Sequence, residues 1–186
     1  MKLEIKHLAP YLPYGLKVYH SAFMFRSNWN ENEIGVMVGA TDNIQNETFD
    51  IVMIRERDKY KLQDSRNHFK PILRPLSDLT KEIEHNGEKF VPILELARLS
   101  NFCIYDNHKI VEKHSFGSAD SEASYMFSYN KESISFEIEN WNSFEGSSFE
   151  FVSNNFELVQ KLLEWYFDVF SLIEQNLAID INTLKR

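Results

Sequence analysis

The strongest constraint on the fold is an apolar periodicity near the C-terminus. Apolar residues recur there at spacings of three and four, namely Leu158, Val159, Leu162, Tyr166, Phe170, Ile173 and Leu177. This spacing places them on one face of a helix, for which Asn154 or Asn155 is a suitable N-cap. The pattern predicts one long C-terminal helix of about five turns. Its apolar stripe is wider than one face needs, so we expect the helix in a groove of the core, or else with a surplus face for a partner.

Most of the preceding chain has the pattern of short antiparallel strands, in which β-branched and aromatic residues stand between polar breaks. The predicted strands cover 16–26, 34–40, 49–54, 102–105, 108–112, 124–129 and 133–141. In the last of these strands, Ile134, Phe136 and Ile138 alternate with Glu137 and Glu139. Such alternation is typical of a sheet with one buried side and one solvent-facing side.

Two short helices are predicted in the middle of the chain. Ser77 is a suitable N-cap for a helix that runs to Ile83 and stops at 85–87, and Pro92 can open a second helix that runs to Leu99. No linker or internal repeat divides the chain, so residues 1–186 are predicted to form a single domain. The expected fold class is α+β: an antiparallel β-sheet or sandwich packed by one long C-terminal helix and two short helices.

Composition and charge disfavour several classes of protein. The chain has 20 Lys and Arg against 28 Asp and Glu, and the resulting net charge of −8 disfavours a general nucleic-acid coat. The single cysteine, Cys103, cannot form an intramolecular disulfide, and its apolar neighbours predict that it lies in the core. No signal-type segment opens the chain, and no apolar run is long enough to span a membrane. We therefore expect a cytoplasmic protein that has no membrane partner.

The sequence contains no recognisable catalytic motif. Its six histidines never occur at the i, i+4 spacing of a helical metal site, and it has neither a nucleophile elbow nor a glycine-rich phosphate loop. No catalytic residue, metal or cofactor is therefore predicted. A hydrolase or nuclease is the least favoured alternative, and it would have to use residues among His108, His114, Asp168 and Glu164.

Charge is segregated along the chain. Cations dominate 55–75, and the residues expected there to contact a partner or RNA are Arg55, Arg57, Lys59, Lys61, Arg66, Lys70 and Arg74. Anions dominate 115–157, and the residues expected there to bind a basic partner surface are Glu137, Glu139, Glu145 and Glu150. The alternative explanation is an acidic sheet face that is simply solvated.

Three sequence blocks carry a resemblance to a known group of proteins. They are LAPYLPYGL at 8–16, KPILRPLSDL at 70–79, and the segment 167–184 with FDVF and LAIDINTL. These blocks resemble those of small phage and prophage proteins of Bacteroidota-type bacteria, in which the regions between the blocks vary. The resemblance implies a mobile-element origin and a setting in the host cytoplasm. Because the blocks carry no catalytic signature, it implies no reaction and no functional residue.

Taken together, these features favour a non-catalytic inhibitor that binds a host defence protein. The most concrete form of this hypothesis is an anti-CRISPR protein. It would bind an RNA-guided nuclease of a type VI-B system with its guide RNA, and disturb the use of guide or target RNA. The alternative is a phage assembly or replication accessory protein that acts as an oligomer through surplus apolar surface on 158–177. The sequence leaves the oligomeric state open.

Overall fold

The computed structural model describes residues 2–21, 33–43, 48–55, 59–112, 114–119 and 122–184. Backbone contacts divide the chain into two compact units, one formed by Met1–Pro75 with Phe170–Arg186 and the other by Leu76–Val169. We call them unit 1 and unit 2 and describe each by itself. The single-domain assignment of residues 1–186 stays a prediction.

The described residues form three short α-helices and thirteen strands. The helices are α1 (Ile5–Leu8), α2 (Pro92–Leu99) and α3 (Asn155–Glu164). The strands of unit 1 are β1 (Lys17–His20), β2 (Glu33–Asn43), β3 (Thr48–Arg55), β4 (Lys61–Ser65), β5 (Phe69–Leu73) and, near the C-terminus, β13 (Ile179–Asp180). Those of unit 2 are β6 (Ile83–His85), β7 (Glu88–Phe90), β8 (Lys109–Glu112), β9 (Ser115–Ala119), β10 (Ala123–Asn130), β11 (Ser135–Asn142) and β12 (Gly146–Phe151).

Unit 1 is built on one six-stranded sheet in the order β13-β5-β1-β2-β3-β4, antiparallel except where β13 pairs with β5. Three strands separate β5 from β4, which would place these two about 19 Å apart in a flat sheet. The chain from Ser65 to Phe69 can span at most about 14 Å. The sheet therefore curls, and the end of β4 approaches the end of β1 and the start of β5.

Unit 2 contains a five-stranded antiparallel sheet in the order β12-β11-β10-β9-β8 and a separate β6-β7 hairpin. One side of the larger sheet forms the core, where Phe127 and Phe136 are fully buried and their rings stack at 5.2 Å between centroids. The Phe136 amide donates to Asn155 Oδ1 at 2.7 Å, which attaches the first residue of α3 to β11. Leu158 and Leu162 lie on the apolar face of α3 and are fully buried.

The prediction of a long C-terminal helix is wrong. Helix α3 ends at Glu164, and Tyr166 adopts a left-handed backbone conformation with φ of 62°. The Phe167 amide then donates to the Leu162 carbonyl at 2.8 Å, and the Tyr166 amide donates to Leu163 at 3.0 Å. This is the hydrogen-bond pattern of a Schellman helix end, in which the residue after the left-handed one packs back on the last turn. The later apolar residues of the stripe therefore do not belong to a helix.

The predicted fold class is also wrong, because the described part of the chain is mostly β, with three sheets and only short helices. Of the two short helices predicted, α2 is confirmed with the predicted bounds. The helix predicted from Ser77 to Ile83 is absent: a 3₁₀ turn occupies Leu76–Asp78, and the chain continues into β6. Asn86 and Gly87, with φ of 52° and 85°, form the β6-β7 turn in place of a helix stop.

The strands predicted from β-branched and aromatic patterns are largely confirmed in β1, β2, β3, β8, β10 and β11. Two details differ. Residues 102–105 form no strand, and Cys103 is exposed there, so its assignment to the core is wrong. The predicted first strand ends at His20 in β1, and its residues 22–26 lie outside the described residues. None of the helices in the described ranges is long and apolar enough to cross a membrane.

Candidate functional site

The structure brings two of the four predicted acidic residues together. Glu137 and Glu139 lie on β11 and pair across the sheet with Ser128 and Met126 of β10. Their side of the sheet is opposite to the buried one, since Phe136 and Ile138 alternate with them. We call this side the outer face.

The other two predicted acidic residues lie elsewhere. Glu145 lies in the turn before β12, where its carboxylate accepts from the Asn142 side chain at 3.2 Å. Glu150 pairs with Ile138 and so belongs to the other side.

The outer face holds a shallow depression of about 840 Å³ beside Glu137 and Glu139. Phe149 of the edge strand β12 pairs with Glu139 and is 60% exposed at its rim. Glu132 and Lys131 also line the depression, so carboxylates outnumber cations there. An exposed aromatic ring next to several carboxylates is a surface suited to a basic protein segment.

The predicted basic residues do not form one surface. Arg55 is buried in an ion pair with Glu33, and Arg74 is also buried. Arg66 donates to the Leu3 carbonyl at 2.9 Å, and Lys70 donates to the Asn176 side chain at 2.7 Å. The exposed members in the described ranges are Lys59 and Lys61, at the β3-β4 hairpin, while Arg57 lies outside the described residues. Much of this positive charge therefore stabilises unit 1 itself.

The residues that a hydrolase would have to use have separate surroundings. His108 precedes β8 and His114 follows it, so the length of that strand lies between the two rings. Glu164 pairs with Lys161 at 2.8 Å at the end of α3. Asp168 is buried. Burial of the Tyr129 hydroxyl, together with the nearby charge of Asp168, raises the pKa of Tyr129 to about 12.

The closest group of ligand-type side chains lies in unit 1, at the place where the sheet curls. His20 ends β1, Asp64 lies on β4, and His68 belongs to the 3₁₀ turn that leads into β5. Asp64 Oδ2 is 3.0 Å from His20 Nε2 and 2.9 Å from His68 Nδ1. His20 is buried with 2% of its side chain exposed, whereas the His68 side chain is 46% exposed. We call these three residues the His-Asp-His cluster.

Several contacts hold the His-Asp-His cluster in place. The Ser65 amide donates to Asp64 Oδ1 at 2.7 Å, and the ring of His20 packs on Phe69 at 4.7 Å. The His68 carbonyl accepts from the Ser21 amide at 2.9 Å. Burial acts to raise the pKa of Asp64, but its hydrogen bonds with His20, Ser65 and His68 outweigh burial, and the pKa lies below its ordinary value. The carboxyl group is therefore held as a carboxylate.

The spacing rule for pairs of histidines does not detect this cluster, because His20 and His68 are far apart in the sequence. Asp64 and His68 have the i, i+4 spacing, and a search that included carboxylates would have singled out these two residues. His20 lies 44 residues before Asp64, and its approach depends on the curl of the sheet. In the described residues, this is the one group of three or more His, Cys, Asp or Glu side chains that could hold a metal ion.

Comparison with known proteins gives no match to any family model, curated protein or solved structure.

Proposed function

We propose that the protein is a non-catalytic binding protein whose outer face docks on a basic surface of a partner protein. The observation that carries this proposal is the adjacent placement of Glu137 and Glu139 beside the exposed ring of Phe149. Carboxylates on a rigid sheet accelerate encounter with a positively charged partner, and the aromatic ring adds contact area once the two surfaces meet.

The partner that agrees best with the sequence blocks is a host defence protein in the bacterial cytoplasm. An RNA-guided nuclease of a type VI-B system has to hold guide RNA on basic residues, and an acidic sheet can compete for such residues. The protein would then act as an anti-CRISPR inhibitor that disturbs the use of guide or target RNA. Direct RNA contact would fall to the exposed pair Lys59 and Lys61, because Arg55, Arg66 and Lys70 make contacts within unit 1.

The test measures binding of the purified protein to a type VI-B nuclease loaded with guide RNA, and RNA cleavage by that complex. The double variant Glu137→Lys with Glu139→Lys is expected to lose about 10-fold or more in affinity, because like charges then face each other. The matched control is Glu82→Lys with Glu88→Lys, which changes the net charge equally at exposed positions of unit 2 away from the outer face. Absence of binding, or equal loss in both double variants, would overturn the proposal.

A second candidate function, an oligomeric phage assembly or replication accessory, now depends on a different observation. The long amphipathic helix that suggested it is absent, and Leu158, Leu162 and Leu163 of α3 are buried. Strand β12 is nevertheless an edge strand that carries the exposed Phe149, and open edges can pair between chains. Light scattering at micromolar concentration tests the accessory protein: a monomer would count against it, and a stable oligomer that Phe149→Ser dissociates would favour it.

A further inference from the structure

We propose that the His-Asp-His cluster is a binding site for a divalent transition-metal ion, with Zn²⁺ as the best match. The site lies in unit 1, and the inference does not depend on the binding function proposed for unit 2. Its three potential ligands are His20 Nε2, Asp64 Oδ2 and His68 Nδ1, which all lie within 4.8 Å of one another.

Two of the three separations between ligand atoms are close to those of a zinc site, and the third, between the two imidazole nitrogens, is no more than 4.8 Å. Zinc binds imidazole nitrogen and carboxylate oxygen at about 2.1 Å, so neighbouring ligand atoms of a tetrahedral site lie about 3.4 Å apart. The two separations to Asp64 Oδ2, 3.0 and 2.9 Å, need to open by only a few tenths of an ångström. Rotation of the half-exposed His68 side chain can open the distance between its Nδ1 and Asp64 Oδ2 without moving the backbone. The distance between His20 Nε2 and Asp64 Oδ2 opens by a small rotation of the Asp64 carboxylate.

The donor set also selects the class of ion. Two imidazoles and one carboxylate suit Zn²⁺ and its first-row neighbours, whereas Ca²⁺ and Mg²⁺ require mostly oxygen ligands. The side of the cluster at His68 faces solvent, so an ion can enter there and keep a water or an exogenous group as its fourth ligand. The nearby cation Arg66 is directed to the Leu3 carbonyl.

Neighbouring residues hold two of the three potential ligands in fixed orientations. The Ser65 amide holds the second carboxylate oxygen of Asp64, and Phe69 holds the buried ring of His20. Outer contacts of this kind fix ligand orientation before the ion arrives. A bound ion would join β1, β4 and the turn before β5, three segments that meet only because the sheet curls.

The test uses the full chain after treatment with a chelator, with Co²⁺ as the spectroscopic probe. We expect visible d–d absorption of four-coordinate Co²⁺, which saturates at a stoichiometric amount of the ion and disappears when Zn²⁺ displaces it. Zn²⁺ should also raise the melting temperature, since an ion that binds only the folded state stabilises it.

Two variants separate a metal site from a set of hydrogen bonds. Asp64→Asn keeps an oxygen that can accept from an imidazole but is a much weaker ligand, and His68→Asn changes a half-exposed residue. Each should weaken metal affinity by more than about 10-fold, the lower limit for changes in outer contacts alone. The matched control is His114→Asn in unit 2, which should bind as the unaltered chain does.

If Asp64→Asn fails to fold, His68→Asn alone is sufficient to test the proposal. Circular dichroism confirms that this variant is folded. Loss of the Co²⁺ absorption in a folded His68→Asn variant, with retention in His114→Asn, supports the site. Absence of the absorption in the unaltered chain, or equal affinity in His68→Asn, would show that the cluster is only hydrogen bonded.

Discussion

The guanidinium of Arg55 contacts both carboxylate oxygens of Glu33, at 3.0 and 2.8 Å, and both side chains are buried in unit 1. Glu33 opens β2 and Arg55 closes β3, so the pair joins the ends of neighbouring strands. A residue that the charge pattern assigned to a partner or RNA is thus part of the internal structure. Its removal should affect the stability of the fold before it affects any binding.

We predict that Arg55→Met lowers the free energy of unfolding by about 3–5 kcal/mol, because it removes the guanidinium that pairs with the buried Glu33 carboxylate. The double variant Glu33→Leu with Arg55→Met should recover most of that loss, since it removes both charges from the interior. Urea unfolding of the three proteins measures the effect. An Arg55→Met variant as stable as the unaltered chain would contradict the internal role.

The turn between β6 and β7 gives a second prediction. Gly87 has φ of 85°, and a Cβ atom added there would meet nothing within 4 Å. Any loss of stability on adding a side chain therefore comes from the left-handed backbone conformation and not from a steric clash with neighbouring residues. Gly87→Ala should therefore destabilise the chain by about 1 kcal/mol or somewhat more.

Gly39 supplies the matched control, because a Cβ atom there also meets nothing within 4 Å and its φ is not positive. Gly39→Ala should be neutral or slightly stabilising, since alanine restricts the unfolded chain. Thermal unfolding of both variants makes the comparison. Equal effects at the two positions would argue against the left-handed turn at Gly87.

Local patterns predicted those parts of the fold that neighbouring residues decide. The alternation along β11 correctly separates Phe136, on the buried side, from Glu137 and Glu139 on the outer face. Helix α2 follows from Pro92 and the apolar spacing after it. The Asn86-Gly87 pair is a strong hairpin signal, and the strand pattern around it was too short to distinguish a turn from a helix stop.

Other features depend on contacts that a local pattern does not contain. The apolar stripe that predicted the long helix continues past Tyr166, but the backbone turns left-handed there and again at Ser171 and Asn176. Only Asn176 is a residue type common in that conformation, so the sequence carries little sign of these turns. The His-Asp-His cluster likewise forms through the curl of the sheet, which brings His20 to Asp64 across 44 residues of chain.

Tyr129 leads to a third prediction. The residue is 4% exposed, and its hydroxyl has no hydrogen-bond partner among the described residues. A buried hydroxyl that makes no hydrogen bond costs about 1–3 kcal/mol. Tyr129→Phe should therefore leave stability unchanged or raise it by about 1 kcal/mol, while the ring keeps its contact with Phe136.

Denaturant unfolding of Tyr129→Phe and Tyr129→Leu tests this account. The leucine variant loses the ring as well as the hydroxyl, so it should be less stable than the phenylalanine variant. A loss above about 1 kcal/mol in Tyr129→Phe would mean that the hydroxyl makes a favourable interaction after all.

His7 predicts a dependence of stability on pH. The side chain is 3% exposed, and its Nδ1 accepts a hydrogen bond from the Glu4 amide at 3.1 Å, which closes the first turn of α1. Burial lowers the pKa of His7 below its ordinary value, although the charge of Glu4 acts in the opposite direction. Below about pH 6.5 the unfolded chain therefore binds a proton that the folded chain does not. This difference makes the folded state less stable as the pH falls through that range.

The variant His7→Gln isolates this effect, because a glutamine side chain can accept from the same amide but does not titrate. We expect the loss of stability between about pH 7.5 and about pH 5.5 to be smaller in His7→Gln than in the unaltered chain. Urea midpoints measured at both pH values give the comparison, and any contribution from the remaining histidines is common to both proteins. An identical pH dependence in the two would mean that His7 is protonated to the same extent in the folded and unfolded states, and would contradict the lowered pKa.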